Sequence, residues 1–191
     1  MPRLFTAICL PADISAQLAR FRTPLPGARW VEPENYHLTL RFLGDVQNQV
    51  AREFADALSY IDSDGFEMSL KGFGVFGGQD PKVLWAGIEA PPQLEMLYRA
   101  HEYAARTVGL KPDRQKFKPH ITIARFRRTR DEAVSRFLQR HATSVSGSIY
   151  VDRFQLLSSK PYTGGGPYVI EQEFALRNYV FSEEYENLFE N

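Results

Sequence analysis

The four-residue pattern His-x-Thr-x occurs twice in this chain of 191 residues, once in each half. The two copies read His37-Leu38-Thr39-Leu40 and His120-Ile121-Thr122-Ile123. Because successive side chains of a β-strand point to opposite faces, each copy predicts a strand that buries its branched aliphatic residues and presents its histidine and threonine on the other face. Any fold for this chain therefore has to accommodate two such strands, and we expect the two imidazoles to act on one substrate.

The elements around these two strands follow a similar order in both halves. Periodicity predicts strands at 4–10, 66–70, 83–88, 149–157 and 168–176. It predicts helices that carry Ile14, Leu18 and Phe21, then Val46 to Ile61, then Leu94 to Val108, and a last helix that begins with the capping box Thr129-x-x-Glu132. The mixed order of strands and helices, with hairpin-like pairs, indicates an α+β fold rather than a doubly wound parallel sheet. Since no linker divides the chain, residues 1–191 are predicted to form a single domain built from two intertwined lobes.

The composition is that of a globular protein with no overall charge. Hydrophobic residues make up 43% of the chain, and 23 basic residues balance 23 acidic ones, so any attraction for an anion has to be local. The single cysteine, Cys9, excludes an intramolecular disulfide and fits a reducing compartment. No segment approaches the roughly 20 apolar residues of a membrane span. We therefore expect a cytoplasmic protein, a monomer, without membrane contact.

The paired histidines suit acid–base chemistry on an anionic substrate. The ordinary pKa of histidine, near 6.5, lets one ring accept a proton at neutral pH while the other donates one. Thr39 and Thr122 are in phase with the histidines, and their hydroxyls are donors for phosphoryl oxygens. Between residues 111 and 130 a single acidic residue, Asp113, accompanies eight basic ones: Lys111, Arg114, Lys116, Lys118, Arg125, Arg127, Arg128 and Arg130. This run is either a solvated surface or an anion-binding patch around His120.

Longer phrases surround the two motifs and extend over most of the chain. They are Arg3-Leu4-Phe5, Trp30-Val31-x-Pro33-Glu34-Asn35-x-His37 with Phe42-Leu43-Gly44, Val83-Leu84-Trp85-Ala86-Gly87, and Phe117-x-Pro119-His120 through Arg125. On these phrases the chain resembles the 2H phosphoesterases, in particular the bacterial and archaeal RNA 2′,3′-cyclic phosphodiesterases, also called 2′-5′ RNA ligases. The resemblance implies two pseudo-symmetric antiparallel sheets that line a central cleft, with helices packed outside.

The resemblance also implies an activity and roles for individual residues. The activity is hydrolysis of RNA 2′,3′-cyclic phosphate ends, tRNA fragments included, to 2′-phosphomonoesters, without metal, cofactor or ATP. His37 would be the proton donor and His120 the proton acceptor, with Thr39, Thr122 and Arg125 on the phosphate and Phe42 near the base. Strict alternation disagrees in part, since it places Arg125 and Phe42 on the face opposite the histidines unless the strands bulge. By alternation the residue in phase with His37 is Arg41.

Several alternative interpretations remain open from the sequence alone. Two alternatives are a phosphodiesterase that acts on a small cyclic nucleotide and a non-catalytic RNA- or nucleotide-binding module. A catalytic zinc site needs three protein ligands, and neither motif offers a carboxylate or thiol in phase with its histidine. Gly72-x-Gly74-x-x-Gly77 matches a dinucleotide fingerprint by letter but is followed by a turn and a strand, so we predict a hairpin. His101 is expected to be a packed core residue, and the glycines at 164–166 are either a substrate lip or an ordinary loop.

Overall fold

The computed structural model describes residues 3–113, 115–127, 129, 131–141, 144–159 and 166–177. Within these residues the strands are β1 (Arg3–Cys9), β2 (Ala28–Trp30), β3 (His37–Asp45), β4 (Phe66–Phe76), β5 (Val83–Glu89), β6 (His120–Phe126), β7 (Ser148–Val151), β8 (Arg153–Ser159) and β9 (Tyr168–Ala175). The helices are α1 (Ala12–Ala19), α2 (Asn48–Ser59), α3 (Pro92–Thr107) and α4 (Asp131–His141), and a short 3-10 helix covers Pro33–Asn35. The predicted α+β class is confirmed.

One antiparallel sheet joins all the strands of the described part of the chain. Its order is β7-β4-β5-β6-β3-β1-β8-β9, and β2 pairs with the end of β6. The two predicted sheets are the two halves of this sheet, and they meet between β3 and β6, the strands that carry the His-x-Thr-x motifs. The register between these strands rests on a single pair, Leu38 with Ile121. The motif strands are therefore neighbours at the centre of the molecule.

The chain crosses from one edge of the sheet to the other half at Asp152. A single strand over 149–157 is wrong: β7 ends at Val151 and pairs with β4, whereas β8 starts at Arg153 and pairs with β1. Asp152 belongs to neither strand. The alternation of apolar residues changes phase here, since Ile149 and Val151 are buried before Asp152 and Phe154 and Leu156 after it, with the exposed Arg153 between.

The main core lies between the four helices and the aliphatic face of the sheet. Leu38, Ile121 and Ile123 are fully buried there, in one cluster with Leu18 of α1 and Leu97 of α3. This arrangement confirms that the aliphatic residues of both motifs face the core. The helices that pack in this cluster therefore lie on the side of the sheet opposite the histidines. Among the described residues, no helix is both long and apolar enough to cross a membrane.

Candidate active site

The two motif strands contain the same irregularity at the same position. Along the first six residues of both β3 and β6, the exposure pattern is half-buried, buried, half-buried, buried, buried, exposed. The two consecutive buried residues are Leu40-Arg41 in β3 and Ile123-Ala124 in β6. The pairing registers of β1 with β3 and of β5 with β6 both shift at this point, which is the mark of a β-bulge.

The bulges return the fifth residue after each histidine to the histidine face. Phe42 is 45% exposed and Arg125 is exposed, whereas their preceding neighbours Arg41 and Ala124 are buried. The condition that strict alternation set is therefore met, because each bulge adds one residue and reverses the phase of the strand beyond it. The structure places Phe42 and Arg125 on the same face as His37 and His120, as the family resemblance implies.

Arg41, the alternative candidate from alternation, does not lie on the histidine face. Its side chain is 7% exposed and forms an ion pair of 2.5 Å between Nε and Oε1 of Glu102 on α3. A second carboxylate, that of Asp113, lies 3.6 Å from its Nη1, and its Nη2 donates to the carbonyl of Lys111. Arg41 therefore ties β3 to α3 and to the segment that follows this helix.

The central register brings the two motifs together. Since Leu38 pairs with Ile121 in antiparallel order, His37 is next to the position of Thr122, and Thr39 is next to that of His120. His37 experiences the charges of both His120 and Arg125, and His120 also experiences that of Arg125. Both histidines, both threonines and Arg125 thus belong to a single site.

Both imidazoles are held by the same kind of hydrogen bond. Nδ1 of His37 lies 2.8 Å from the carbonyl oxygen of Asn35, and Nδ1 of His120 lies 2.6 Å from that of Lys118. A carbonyl oxygen only accepts, so each Nδ1 carries the hydrogen and donates it. In the neutral rings Nε2 is consequently the unprotonated nitrogen. Each ring therefore presents its basic nitrogen on the side away from its own backbone anchor.

Aromatic side chains surround each histidine. The ring of His37 is 5.0 Å from that of Phe5 and 5.1 Å from that of Tyr168, which meets it edge-on. The ring of His120 is 4.9 Å from that of Phe76 and 6.3 Å from that of Trp85. These contacts restrict the orientation of the imidazoles and reduce their access to water.

Burial is the main cause of a lowered pKa at both histidines. It lowers the pKa of His37 to about 4, with smaller contributions from the charges of Arg125 and His120, against the opposing effect of the Asn35 carbonyl. Burial also lowers the pKa of His120, and the charges of Lys118 and Arg125 act in the same direction. In the absence of substrate both rings are therefore neutral at pH 7. Nε2 of either ring is then free to accept a proton.

Sequence reasoning missed one contributor to this site, Tyr168, and named a second, Lys118, only as part of the basic run around His120. Tyr168, at the start of β9, contacts both His37 and Phe5, and its backbone N–H donates to Oδ1 of Asn35 over 3.3 Å. Lys118 places its Nζ 4.5 Å from the centre of the Trp85 ring, beside His120. Lys118 directly precedes the Pro119-His120 dipeptide, which was a usable signal; Tyr168 lies 131 positions from His37 along the sequence and only tertiary pairing brings it there.

The remaining sequence candidates lie elsewhere or outside the described residues. His101 is fully buried and its Nδ1 bonds the Leu97 carbonyl, so it is a core residue as predicted. Gly72 and Gly74 lie in β4 and Gly77 in the following turn, which confirms the predicted hairpin. Several other parts of the sequence lie outside the described residues: Arg114, Arg128, Arg130, most of the 160–166 loop and the tail from 178. Among the described ones, no three His, Cys, Asp or Glu side chains are grouped as a metal site.

Known proteins share both this sequence pattern and this architecture. The family described as LigT like Phosphoesterase matches residues 8–85 and 88–168. An RNA 2′,3′-cyclic phosphodiesterase of Aeropyrum pernix is 33% identical over 150 residues, which are 75% of this chain and 85% of the relative. The apo crystal structure of Escherichia coli LigT is 31% identical, has a TM-score of 0.76 and covers 92% of this chain and 98% of its own. The same protein complexed with 3′-AMP is 29% identical with a TM-score of 0.74, and covers 92% of this chain and 99% of its own. The chain belongs to the LigT-like 2H phosphoesterase family.

Proposed function

We propose that this protein hydrolyses 2′,3′-cyclic phosphate ends of RNA to 2′-phosphomonoesters. The observation that carries the proposal is the pair of imidazoles on neighbouring strands, each neutral and each anchored through Nδ1 to a backbone carbonyl. The names of the relatives support the choice of substrate, because the Aeropyrum pernix protein is an RNA 2′,3′-cyclic phosphodiesterase. The complex of Escherichia coli LigT with 3′-AMP supports a nucleotide in this cleft.

In the proposed reaction His120 and His37 act on opposite sides of the phosphorus atom. Nε2 of His120 takes a proton from water, whose oxygen forms the new bond to phosphorus. His37 takes up a proton at Nε2 when the phosphate anion binds, since a nearby negative charge raises the pKa of an imidazole. The bond between phosphorus and O3′ then breaks, and Nε2–H of His37 donates this proton to O3′, which leaves a 3′-hydroxyl and a 2′-phosphate. The hydroxyls of Thr39 and Thr122 and the guanidinium of Arg125 stabilise the negative charge that grows on the phosphoryl oxygens.

The same machinery would also allow ligation without ATP, as a second reaction that opens the cyclic phosphate. If the 5′-hydroxyl of a second RNA replaces water, attack on the cyclic phosphate forms a 2′-5′ phosphodiester and uses the energy of the strained ring. The donor and acceptor roles of the two histidines are then unchanged.

The proposal is tested by turnover of a short RNA with a 2′,3′-cyclic phosphate end in excess EDTA. We expect the wild-type protein to give a 2′-phosphate product, and His37→Ala and His120→Ala each to lower the rate by roughly 10²–10⁴-fold. His141→Ala is the matched control, since this histidine lies at the end of α4 against Phe21 and Phe137. Activity that returns only when a metal is added would contradict the acid–base assignment, and tight binding without turnover would indicate a binding module.

A further inference from the structure

Two aromatic rings and a lysine lie together on the His120 side of the cleft. The ring centres of Phe76, at the end of β4, and Trp85 of β5 are 5.3 Å apart. Both rings contact the imidazole of His120, so they lie on the histidine face of the sheet. The Nζ atom of Lys118 is 4.5 Å from the centre of the Trp85 ring and 5.2 Å from that of Phe76. We call Phe76, Trp85 and Lys118 the Trp85 cluster.

The Trp85 ring lies directly against the backbone of β4. Gly74 is opposite Trp85 in the pairing of β4 with β5, and a Cβ atom at Gly74 would overlap Cζ2 and Cη2 of the indole. Glycine at this position therefore allows a close approach of ring and backbone. The middle glycine of the Gly72-x-Gly74-x-x-Gly77 sequence thus holds the Trp85 ring close to the sheet.

The leaving group and the nucleophile of the proposed reaction belong to opposite halves of the sheet. The ring of His37 contacts Phe5 of β1, and Phe42, which the family resemblance places near the base, is opposite Phe5 in the register of β1 with β3. The terminal nucleoside, which carries the leaving O3′, is therefore expected on this half. The Trp85 cluster lies on the other half, where β4 and β5 follow β6. This is the side on which His120 activates the nucleophile.

A nucleophile other than water brings a substituent to this side. When the 5′-hydroxyl of a second RNA attacks, Nε2 of His120 takes the hydroxyl proton and O5′ bonds to phosphorus, while the bond to O3′ breaks and His37 donates its proton to O3′. The nucleoside attached to O5′ must then lie next to His120. Aromatic rings beside a basic side chain suit an unpaired nucleotide, because its base stacks on the rings and its phosphate pairs with the charge.

In the free protein the Lys118 ammonium covers the two rings. Lys118 is exposed and has a flexible stem, and its contact with the rings is a cation–π interaction at an accessible site. The stacking of a base on an aromatic ring is stronger than such a contact. A base would therefore displace the ammonium, which would stay within reach of a phosphate on the same nucleotide.

We propose that the Trp85 cluster binds the first nucleotide of the RNA that supplies the 5′-hydroxyl in 2′-5′ ligation. Its base stacks on Phe76 and Trp85, and its 3′-phosphate pairs with Lys118. This inference rests on the proposed function and adds a second substrate to it, an RNA with a 5′-hydroxyl end. Because water carries no base, the cluster changes how the cyclic phosphate is divided between water and an RNA end.

Competition between water and an added alcohol tests this proposal. A short RNA with a 2′,3′-cyclic phosphate end gives a 2′-phosphate with water and a 2′-5′-linked product with adenosine, and both products are measured in one sample. Methanol is the alcohol without a base, and 3′-AMP is the nucleoside with the added phosphate. For the wild type we expect adenosine to compete with water about tenfold to a hundredfold better than methanol at equal concentration, the range for one stacked base. We expect 3′-AMP to compete better than adenosine.

The variants separate the base from the phosphate. Phe76→Leu and Trp85→Leu should each remove most of the advantage of adenosine over methanol, and a general loss of rate through His120 leaves this ratio unchanged because both products share it. Lys118→Gln, at an exposed position, should remove the advantage of 3′-AMP over adenosine and keep that of adenosine over methanol. The control Tyr103→Leu removes a ring that is 72% exposed on α3 and should keep all wild-type ratios.

Three results would count against the proposal in different ways. A wild-type protein that hydrolyses the RNA but shows no preference for adenosine over methanol would overturn the site and leave the proposed function intact. The same ratios in the wild type, Phe76→Leu and Lys118→Gln would also overturn it. No turnover of the RNA by the wild type would contradict the proposed function itself.

Discussion

At the scale of the residue, the same kind of hydrogen bond sets the tautomer of both histidines. Each Nδ1 is committed to a backbone carbonyl two residues earlier, so its tautomer is set before substrate arrives. Burial and nearby cations keep both rings neutral, which suits a base but not a proton donor. A bound phosphate anion reverses part of this effect, because a nearby negative charge raises the pKa of an imidazole. Substrate binding would therefore favour the protonated ring that the proposed donor role of His37 requires.

This reasoning predicts how the two kinetic constants depend on pH. The value of kcat/KM reports ionisations of the free protein, where the pKa of His37 is about 4 and that of His120 is lowered. Since loss of the donor proton stops the reaction, kcat/KM should already fall as the pH rises through 6.5. The corresponding fall in kcat should occur at higher pH, because the bound phosphate raises the pKa of the donor. Rates measured between pH 4 and 9 check both, and a kcat/KM that is constant from pH 5 to 9 would contradict the pairing.

At the scale of the element, one bulge in each motif strand decides which side chains reach the site. The extra residue lets Leu40 and Arg41 be buried in succession, as Ile123 and Ala124 are in the partner motif. Beyond each bulge the alternation of side chains is reversed, so Phe42 and Arg125 lie on the histidine face. In β3 the same reversal directs the Arg41 guanidinium toward Glu102 of α3, where an ion pair compensates its burial. The bulge of β3 thus organises the site on one face and the attachment of a helix on the other.

Removal of one partner from the ion pair of the buried Arg41 and the half-buried Glu102 should lower stability. We expect Arg41→Leu to lower the free energy of unfolding by about 2 kcal/mol, because it leaves the half-buried carboxylate of Glu102 with less compensation. The double variant Arg41→Leu/Glu102→Leu should lose much less than the sum of the two single changes. Urea denaturation of the four proteins measures this coupling, and strictly additive losses would show that the pair makes no contribution.

At the scale of the whole molecule, two half-sheets are joined through a short contact between β3 and β6. The pair Leu38–Ile121 lies at this junction, and the aliphatic sides of both motifs continue into one core. His101 on α3 is fully buried in that region, with its ring 4.5 Å from that of Phe154 on β8. Burial lowers the pKa of His101 to about 4, so the native protein holds this ring in its neutral form.

The buried His101 makes stability depend on pH below neutrality. The unfolded chain binds a proton at this residue near pH 6.5, whereas the folded protein does so only near pH 4, so the free energy of unfolding decreases as the pH falls between these values. A shift of this size corresponds to roughly 3 kcal/mol in total. His101→Leu should remove this contribution, so the variant should lose less stability than wild type between pH 6.5 and 4. Parallel losses in the two proteins, measured by urea denaturation at several pH values, would contradict the assignment.

The sequence by itself determined the α+β class, the two motif strands, and which of their residues are buried up to Leu40 and Ile123. A period of two is a local property of the backbone, so it is visible in four residues. Tertiary structure alone decided the phase of the strands beyond the bulges and the approach of Tyr168 to His37. Each of these depends on which strand lies alongside, and pairing between residues distant in sequence leaves no periodic signal along the chain.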